Sequence, residues 1–478
     1  MQNESPLLKK AREYKDKKNF SIPRKGRIRF VLVLMLLGVG ARFYFGDAQE
    51  KSTESVVVQK DTKQNHAAAQ RKPEKNVKGF EKHFVRTLSN DEISLILRQS
   101  AIDFSTPVDT LSYKGQKLAY HFTIDTSLQK TVRKLFRRYH PRHGAAVALD
   151  PETGRVLALV SYNNPDDTLV GRDTYLRSIF PAASIFKTIT AAAAVERCNL
   201  SEGSLLKTVG KNHTLYNFQL ENTLKTFREV TLREAFAYSI NPVFGRLGIH
   251  HVTADGLRAT AAKFGFNQQI PFELPADAPH ISITDSSFQI AEIASGFNQQ
   301  TRISPLYGAL IAASISNAGN MPVPILVDSV IQVSTGKRLY KAEYKPWRQA
   351  MQPNTADRLS LIMQDVTRYG TARKSFGYVK NSYHFNRIAY GGKTGNVDKD
   401  SLGRIDWFVG FARHQADSSQ HIATGVVTVH GPYWTVHSSF LGAEIIRNHI
   451  RSVQIAQKKR KEALQAAELN DTTSTEGS

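Results

Sequence analysis

The chain has 478 residues, of which 41% are hydrophobic and 22% are charged, a composition typical of a globular protein with a sizeable core. Its formal net charge of +22 suits an anionic lipid, an acidic polymer or a nucleic acid as partner. The sequence has no zinc-finger spacing, RNP-like aromatic strand or basic heptad, which argues against nucleic acid. Its single cysteine, Cys198, excludes an intrachain disulfide and a cysteine-based metal cluster.

The N-terminal segment has the charge pattern of a membrane anchor. Residues 1–29 are rich in lysine and arginine and precede an apolar run that starts at Phe30 and is at the short end for a membrane span. Because basic flanks stay inside, we expect a cytoplasmic tail over 1–29, a single-pass transmembrane anchor over 30–46, and the rest of the chain on the periplasmic or extracellular side of the plasma membrane. A cleaved signal peptide is the alternative, although a small-x-small cleavage site is not evident.

Composition divides the remainder into four parts. Residues 47–83 are polar with few large apolar groups, which predicts a flexible linker. Residues 84–118 form a short pedestal or lead-in with one helix, residues 119–455 form the main domain, and the charged, then Ser/Thr-rich tail over 456–478 is predicted to be disordered.

Within the main domain, strand and helix patterns alternate. They are a strand over Ala119–Ile124, a helix over Ser127–Tyr139, a hairpin over Gly144–Ser161, an Ala-rich helix over Ile185–Arg197, a helix capped by Ser304, a strand around Lys393, a strand over Trp407–Ala412 and a helix from about Ser439 to about Gln454. We therefore expect an α/β (α+β) fold in which an antiparallel sheet is flanked by helices and carries an inserted all-helical subdomain.

Ser184 and Lys187 form the first of three motifs with chemical meaning. Ser184 precedes the Ala-rich helix, where serine is most often a simple N-cap. A lysine three residues later lies on the same helix face and can act as the base that a serine nucleophile needs, provided that burial or a second cation lowers its pKa.

The second motif is Ser239-Ile240-Asn241, followed by Pro242. It could simply end a helix. Functionally, the Ser239 hydroxyl would relay a proton between base and leaving group, and the Asn241 amide would orient Lys187 and a substrate carbonyl.

The third motif is Lys393-Thr394-Gly395, on a predicted strand of the kind that binds an extended peptide by strand addition. Lys393 and Thr394 would hold a C-terminal carboxylate, and Gly395 would leave room for the substrate. The alternative is a surface strand with a turn glycine.

The three motifs in this order resemble the penicillin-binding protein transpeptidases, of the serine acyltransferase superfamily shared with β-lactamases. The resemblance extends over roughly residues 119–450. It implies an oxyanion hole made by the backbone N–H groups of Ser184 and Asn396, with Asn396 standing where the family usually has Thr or Ser.

The resemblance implies a membrane-anchored serine D-Ala-D-Ala transpeptidase that cross-links peptidoglycan stem peptides and is acylated by β-lactams, with a membrane glycan polymerase as a candidate partner. A D,D-carboxypeptidase or a β-lactamase would hydrolyse the same acyl-enzyme. A class A β-lactamase needs an activating glutamate, and Glu273 lies in a Phe-Glu-Leu-Pro turn that is more similar to transpeptidases. A β-lactam sensor or an inactive scaffold is a non-enzymatic alternative.

We expect no cofactor and no metal, since no histidine, including His250 and His251, has metal-ligand spacing with carboxylates.

Overall fold

A computed structural model of the chain describes residues 87–475 except 101, 103, 166–170, 172, 400 and 401, with side chains as far as residue 468. The predicted cytoplasmic tail, transmembrane anchor and linker lie outside the described residues. Among the helices that are described, none is both long enough and apolar enough to cross a membrane.

The described residues form fifteen strands and twelve α-helices. The strands are β1 Val108–Tyr113, β2 Gln116–Phe122, β3 His143–Leu149, β4 Val156–Asn163, β5 Phe180–Pro181, β6 Leu205–Thr208, β7 Arg228–Thr231, β8 Arg302–Ile303, β9 Asn320–Pro322, β10 Val327–Gln332, β11 Arg338–Lys341, β12 Pro346–Gln349, β13 Ile388–Lys399, β14 Gly403–His414 and β15 Ile422–His430. The helices are α1 Asn90–Gln99, α2 Thr126–Tyr139, α3 Lys187–Cys198, α4 Asn217–Leu220, α5 Leu232–Ala237, α6 Asn241–Leu247, α7 Thr253–Phe264, α8 Ser287–Ser295, α9 Pro305–Ser316, α10 Pro353–Arg368, α11 Arg373–Lys380 and α12 Ser438–Thr475.

The core is a five-stranded antiparallel sheet in the order β13-β14-β15-β3-β4. Helix α9 packs on one face of this sheet, and α12 together with α2 covers the other. The side chains of successive β14 residues point to opposite faces of the sheet. Trp407 and Val409 lie near Gly308 of α9, whereas Phe408 lies against Gly442 of α12. The sheet is therefore buried on both sides, and the predicted strand around Lys393, β13, lies at its edge.

The predicted antiparallel sheet flanked by helices is confirmed. Most of the helices between β4 and β13 form the inserted region, and its α3 is buried along nearly its whole length. This region is not all-helical, because β6 and β7 pair there as a two-stranded sheet. Four residues of each strand form this ribbon, which is too short to give a recognisable alternating pattern.

The boundary expected at residue 119 falls within β2. This strand pairs with β1 on one side and with β10 on the other, in a four-stranded sheet that β11 completes. The lead-in is thus joined by backbone hydrogen bonds to a strand from the later part of the chain, a relationship that composition does not encode.

The prediction of a disordered tail over 456–478 is wrong for most of its length. Helix α12 does not end near Gln454 but continues to Thr475. After Gly442 the chain has no glycine or proline up to that point, and Ala, Leu, Gln and Lys predominate between Ile455 and Leu469. High helix propensity therefore outweighs the polar composition that suggested disorder.

Candidate active site

Ser184 lies in a tight 3₁₀ turn, Ala183–Phe186, that runs directly into α3. The preceding Ala183 has φ = 48°, a left-handed conformation that is costly for a residue with a side chain. Gly296, just after α8, supports this turn, since a Cβ added there would lie 1.9 Å from the Ala183 carbonyl oxygen. The nucleophile candidate is thus held on a strained turn by close backbone packing.

Lys187 connects the first motif to the second. Its Nζ donates a 2.8 Å hydrogen bond to Ser184 Oγ and a 2.7 Å bond to Asn241 Oδ1, and it also donates to the Ser295 carbonyl. The side chain is fully buried, with the Phe244 ring 5.6 Å from the ammonium. The structure therefore brings the predicted base within hydrogen-bonding reach of the predicted nucleophile.

The environment of Lys187 favours its neutral form. Burial lowers its pKa well below the usual 10.5, and the nearby charge of Lys393 lowers it further. After the ammonium loses one proton, its two remaining N–H groups can still donate to Asn241 Oδ1 and the Ser295 carbonyl, and its lone pair can accept the Ser184 proton. The sequence analysis required either burial or a second cation to lower this pKa, and both are present.

Ser239 contacts the lysine of the third motif. It has φ = 55° at the end of α5, and its Oγ accepts a 3.0 Å hydrogen bond from Lys393 Nζ. Asn241 opens α6 with Pro242 in its first turn, so the helix start fixes the amide that Lys187 contacts. Ser239 and Asn241 are mostly buried, but both border the cleft described below.

Lys393 differs from the sequence expectation. Its ammonium is fully buried and donates to Ser239 Oγ and, at 2.8 Å, to the Thr394 carbonyl, so it does not project into the cleft. Burial lowers its pKa to about 7. A direct contact between Lys393 and a substrate carboxylate is therefore not what this geometry provides; its immediate partner is the Ser239 hydroxyl.

The three motifs border one cleft of about 780 Å³. Its described lining includes six of the eight residues singled out from the sequence, namely Ser184, Ser239, Asn241, Thr394, Gly395 and Asn396, while the two lysines lie behind it. Gly395 packs closely against the Ser184 turn, because a Cβ there would lie 3.3 Å from the Ser184 nitrogen. The Asn396 residue is exposed.

The sequence did not single out several other groups that line the cleft. Thr371 shares a 2.6 Å hydroxyl–hydroxyl hydrogen bond with Thr394 and lines the cleft. His213, Asp406, Trp434 and His437 also line it, and no local pattern marks them. Across the described residues, no cluster of three His, Cys, Asp or Glu side chains has the arrangement of a metal site.

Comparisons with known proteins agree with this geometry. A family model described as the penicillin binding protein transpeptidase domain matches residues 144–448. Stage V sporulation protein D of Bacillus subtilis is 25% identical over 406 residues, which cover 79% of this chain and 59% of that protein. The peptidoglycan D,D-transpeptidase PbpA of Mycobacterium tuberculosis is 27% identical over 323 residues, covering 61% of this chain and 63% of that one. The chain thus spans about three fifths of the length of these two relatives.

The fold of this chain is also similar to those of solved structures. The D,D-transpeptidase domain of a peptidoglycan glycosyltransferase from Eggerthella lenta aligns with a TM-score of 0.58 and 25% identity, over 74% of this chain and 86% of that one. The imipenem acyl-enzyme complex of penicillin-binding protein A from M. tuberculosis also aligns with a TM-score of 0.58 and 25% identity, over 69% of this chain and 78% of the other.

Proposed function

Because the chain belongs to the penicillin-binding protein transpeptidase family, we propose that it is a serine D,D-transpeptidase that cross-links peptidoglycan stem peptides through an acyl-enzyme on Ser184. The observation that carries this proposal is the 2.8 Å hydrogen bond between Lys187 Nζ and Ser184 Oγ, made by a lysine whose surroundings favour the neutral amine. Activity requires a base next to the serine, and Lys187 is in that position.

In the acylation step, neutral Lys187 takes the proton of Ser184 while Oγ attacks the penultimate D-Ala carbonyl of a donor stem peptide. The oxyanion is stabilised by the backbone N–H groups of Ser184 and Asn396. As the intermediate collapses, the peptide C–N bond breaks, and the terminal D-Ala leaves as an amine that takes its proton through Ser239. Lys393, which donates to Ser239 Oγ, would position and polarise that hydroxyl.

Deacylation reverses these roles. An amine of a second stem peptide attacks the Ser184 ester, its surplus proton passes through Ser239 and Lys187, and Oγ leaves with a proton as the new amide forms. As the edge strand of the sheet, β13 would align the donor peptide as an added strand. β-Lactams would enter at the acylation step and form a penicilloyl ester with Ser184.

The main enzymatic alternatives use water in place of the acceptor amine. Glu273, the glutamate considered for a β-lactamase, is buried and accepts hydrogen bonds from the backbone N–H groups of Leu326 and Val327. No glutamate is among the described residues that line the cleft. This arrangement supports transpeptidation over a class A β-lactamase.

Labelling with a fluorescent penicillin tests the proposal. The full chain should form a covalent adduct that lasts many minutes, and Ser184→Ala should form none. Failure of the wild-type chain to be labelled would contradict an acyl-serine mechanism. Loss of the label within seconds would instead identify a β-lactamase, and D-Ala release without cross-linking of stem peptides would identify a carboxypeptidase.

We also propose that residues 30–46 anchor the enzyme in the plasma membrane, with the catalytic domain outside and a membrane glycan polymerase as partner. The basic segment before Phe30 and the apolar run after it support this topology. The full chain should sediment with membranes after a carbonate wash, and a chain starting at residue 47 should not. Release of the full chain by the wash would contradict an integral anchor.

A further inference from the structure

A group of polar and aromatic side chains lies beside Asn396 at the β14 side of the cleft. Asp406 is mostly buried, and its Oδ2 accepts a 2.7 Å hydrogen bond from the backbone N–H of Ser438 at the start of α12. The same Oδ2 lies 3.7 Å from Nδ1 of His437, whose side chain is 64% exposed. The Trp434 ring is stacked on His430 with ring centroids 4.8 Å apart, and it is tilted against His437 with centroids 4.7 Å apart.

This group is next to the part of β13 that carries the third motif. Asp406 is the direct cross-strand partner of Asn396, and Phe408 is the partner of Thr394. Residues two apart on a strand share a face, so Thr394, Asn396 and Asp406 face the same side of the sheet. All three line the cleft together with His437.

The charges around His437 favour an imidazolium that an anion can approach. The Asp406 carboxylate raises the pKa of His437, and this outweighs partial burial and the charge of Lys374. Lys374, on α11, also lines the cleft. Of the other nearby groups, burial lowers the pKa of His430, whereas Arg404 pairs with Asp398 at 3.0 Å and lies 5.6 Å from the Trp434 ring.

Two observations indicate that a substrate carboxylate at this cleft needs a cationic partner from outside the third motif. The Lys393 ammonium is buried behind the cleft and occupied by Ser239 and the Thr394 carbonyl. Asn396 stands where the family usually supplies a hydroxyl. A terminal carboxylate at Thr394 would therefore lack a charged partner from the third motif itself.

We propose that His437, held by Asp406, is a specificity-determining residue that binds the terminal carboxylate of the donor peptide beside Thr394. This inference rests on the proposed acyl transfer at Ser184 and names the group that recognises the end of its substrate. Asp406 acts as a positioning residue through its contact with the imidazole, and the tilted ring contact with Trp434 restrains the imidazole further.

The test compares two small D-alanyl thioester donors that differ only at the leaving-group end, one with a free carboxylate and one with a carboxamide. Acylation of the full chain is followed for the wild type, His437→Gln, His437→Arg and Lys374→Gln. The matched control is His251→Gln, an exposed histidine on the π-helical turn Gly248–Val252, outside the cleft. Thermal unfolding of each variant checks that the fold is intact.

We expect His437→Gln to lose about tenfold in kcat/KM with the carboxylate donor, which is the order of one hydrogen bond to a charged group. The carboxamide donor should be unaffected, and His437→Arg should retain the preference for the carboxylate. In the wild type, the ratio of the two rates should fall as the pH rises through the raised pKa of His437, and in His437→Arg this fall should disappear.

Three results would overturn the inference. An equal loss with both donors would mean that His437 only supports the start of α12, and no loss with either would mean that it does not contact substrate. A carboxylate-specific loss in Lys374→Gln but not in His437→Gln would assign recognition to Lys374. If the wild type reacts with neither donor nor penicillin, the proposed function fails first, which is a distinguishable outcome.

Discussion

Lys187 and Lys393 are both fully buried, yet each donates a hydrogen bond to a different serine hydroxyl of the same cleft. Two buried ammonium groups at such a site repel one another, and the charge of Lys393 lowers the pKa of Lys187 beyond the effect of burial. The lysine of the third motif thus lowers the pKa of the base of the first.

This coupling predicts the pH dependence of acylation. Ser184 acylation should rise with pH as Lys187 loses its proton, at a pH well below the usual 10.5. Lys393→Met removes one cation, so the pKa of Lys187 should increase and the acid limb of the profile should move to higher pH. Stopped-flow acylation by a fluorescent penicillin across a pH series measures this shift. Lys399→Gln, a half-buried lysine further along β13, is the control, and an unmoved limb in Lys393→Met would refute the coupling.

Removing Lys187 should slow acylation more than removing Lys393, whose charge lowers the pKa of Lys187. Lys187→Met keeps the apolar volume near Phe244 but removes the group that accepts the Ser184 proton. We expect the acylation rate to fall by about 10²- to 10⁴-fold, the usual contribution of general-base catalysis. Lys263→Met, at an exposed lysine paired with Glu196, should retain the wild-type rate. A Lys187→Met rate within a few fold of wild type would exclude Lys187 as the base.

The buried lysines should also make stability depend on pH. The folded-state pKa of Lys393 is about 7, below its ordinary 10.5, so the unfolded chain binds more protons between these values. The free energy of unfolding should therefore increase as the pH rises from about 7 towards 10.5, and this contribution is lost as the pH falls. Urea unfolding of wild type and Lys393→Met at several pH values measures the difference. A difference between the two that stays constant with pH would contradict the prediction.

Two glycines with the same backbone angle allow the turn at Ser184 to be tested. Gly296 and Gly336 both have φ = 68°, but an added Cβ at Gly296 would meet the Ala183 carbonyl, whereas nothing lies within 4 Å of one at Gly336. Gly336→Ala should cost about 1 kcal/mol, the price of a left-handed conformation. Gly296→Ala should cost substantially more and should slow acylation as well, because Ser184 must move. Equal unfolding free energies for the two variants would argue against close packing at this turn.

Substitutions of Asn396 should change the acylation rate less than those of Lys187. Asn396→Thr restores the hydroxyl usual in the family and should increase acylation by penicillin a few fold, roughly the contribution of one exposed hydrogen bond. Asn396→Ala should change the rate little, since the proposed oxyanion contact comes from the backbone N–H. A large loss in Asn396→Ala would instead assign the contact to the amide side chain.

The sequence by itself determined the chemical groups of the site and most of the elements that carry them. Ser184 and Lys187 are three residues apart at the start of a helix, and the hairpin of β3 and β4 and the Ser304 cap of α9 are equally local. Capping, helix spacing and strand alternation depend on near neighbours in the chain, so they can be recognised without the fold.

Only the tertiary structure decided how these groups meet. Strand pairing places Asn396 opposite Asp406, and the start of α12 then places His437 beside that carboxylate. Burial turned Lys393 from an expected carboxylate ligand into a partner of Ser239. Desolvation and cross-strand contacts depend on distant segments packing together, so the protonation of the lysines and the far side of the cleft follow from the fold and not from any local pattern.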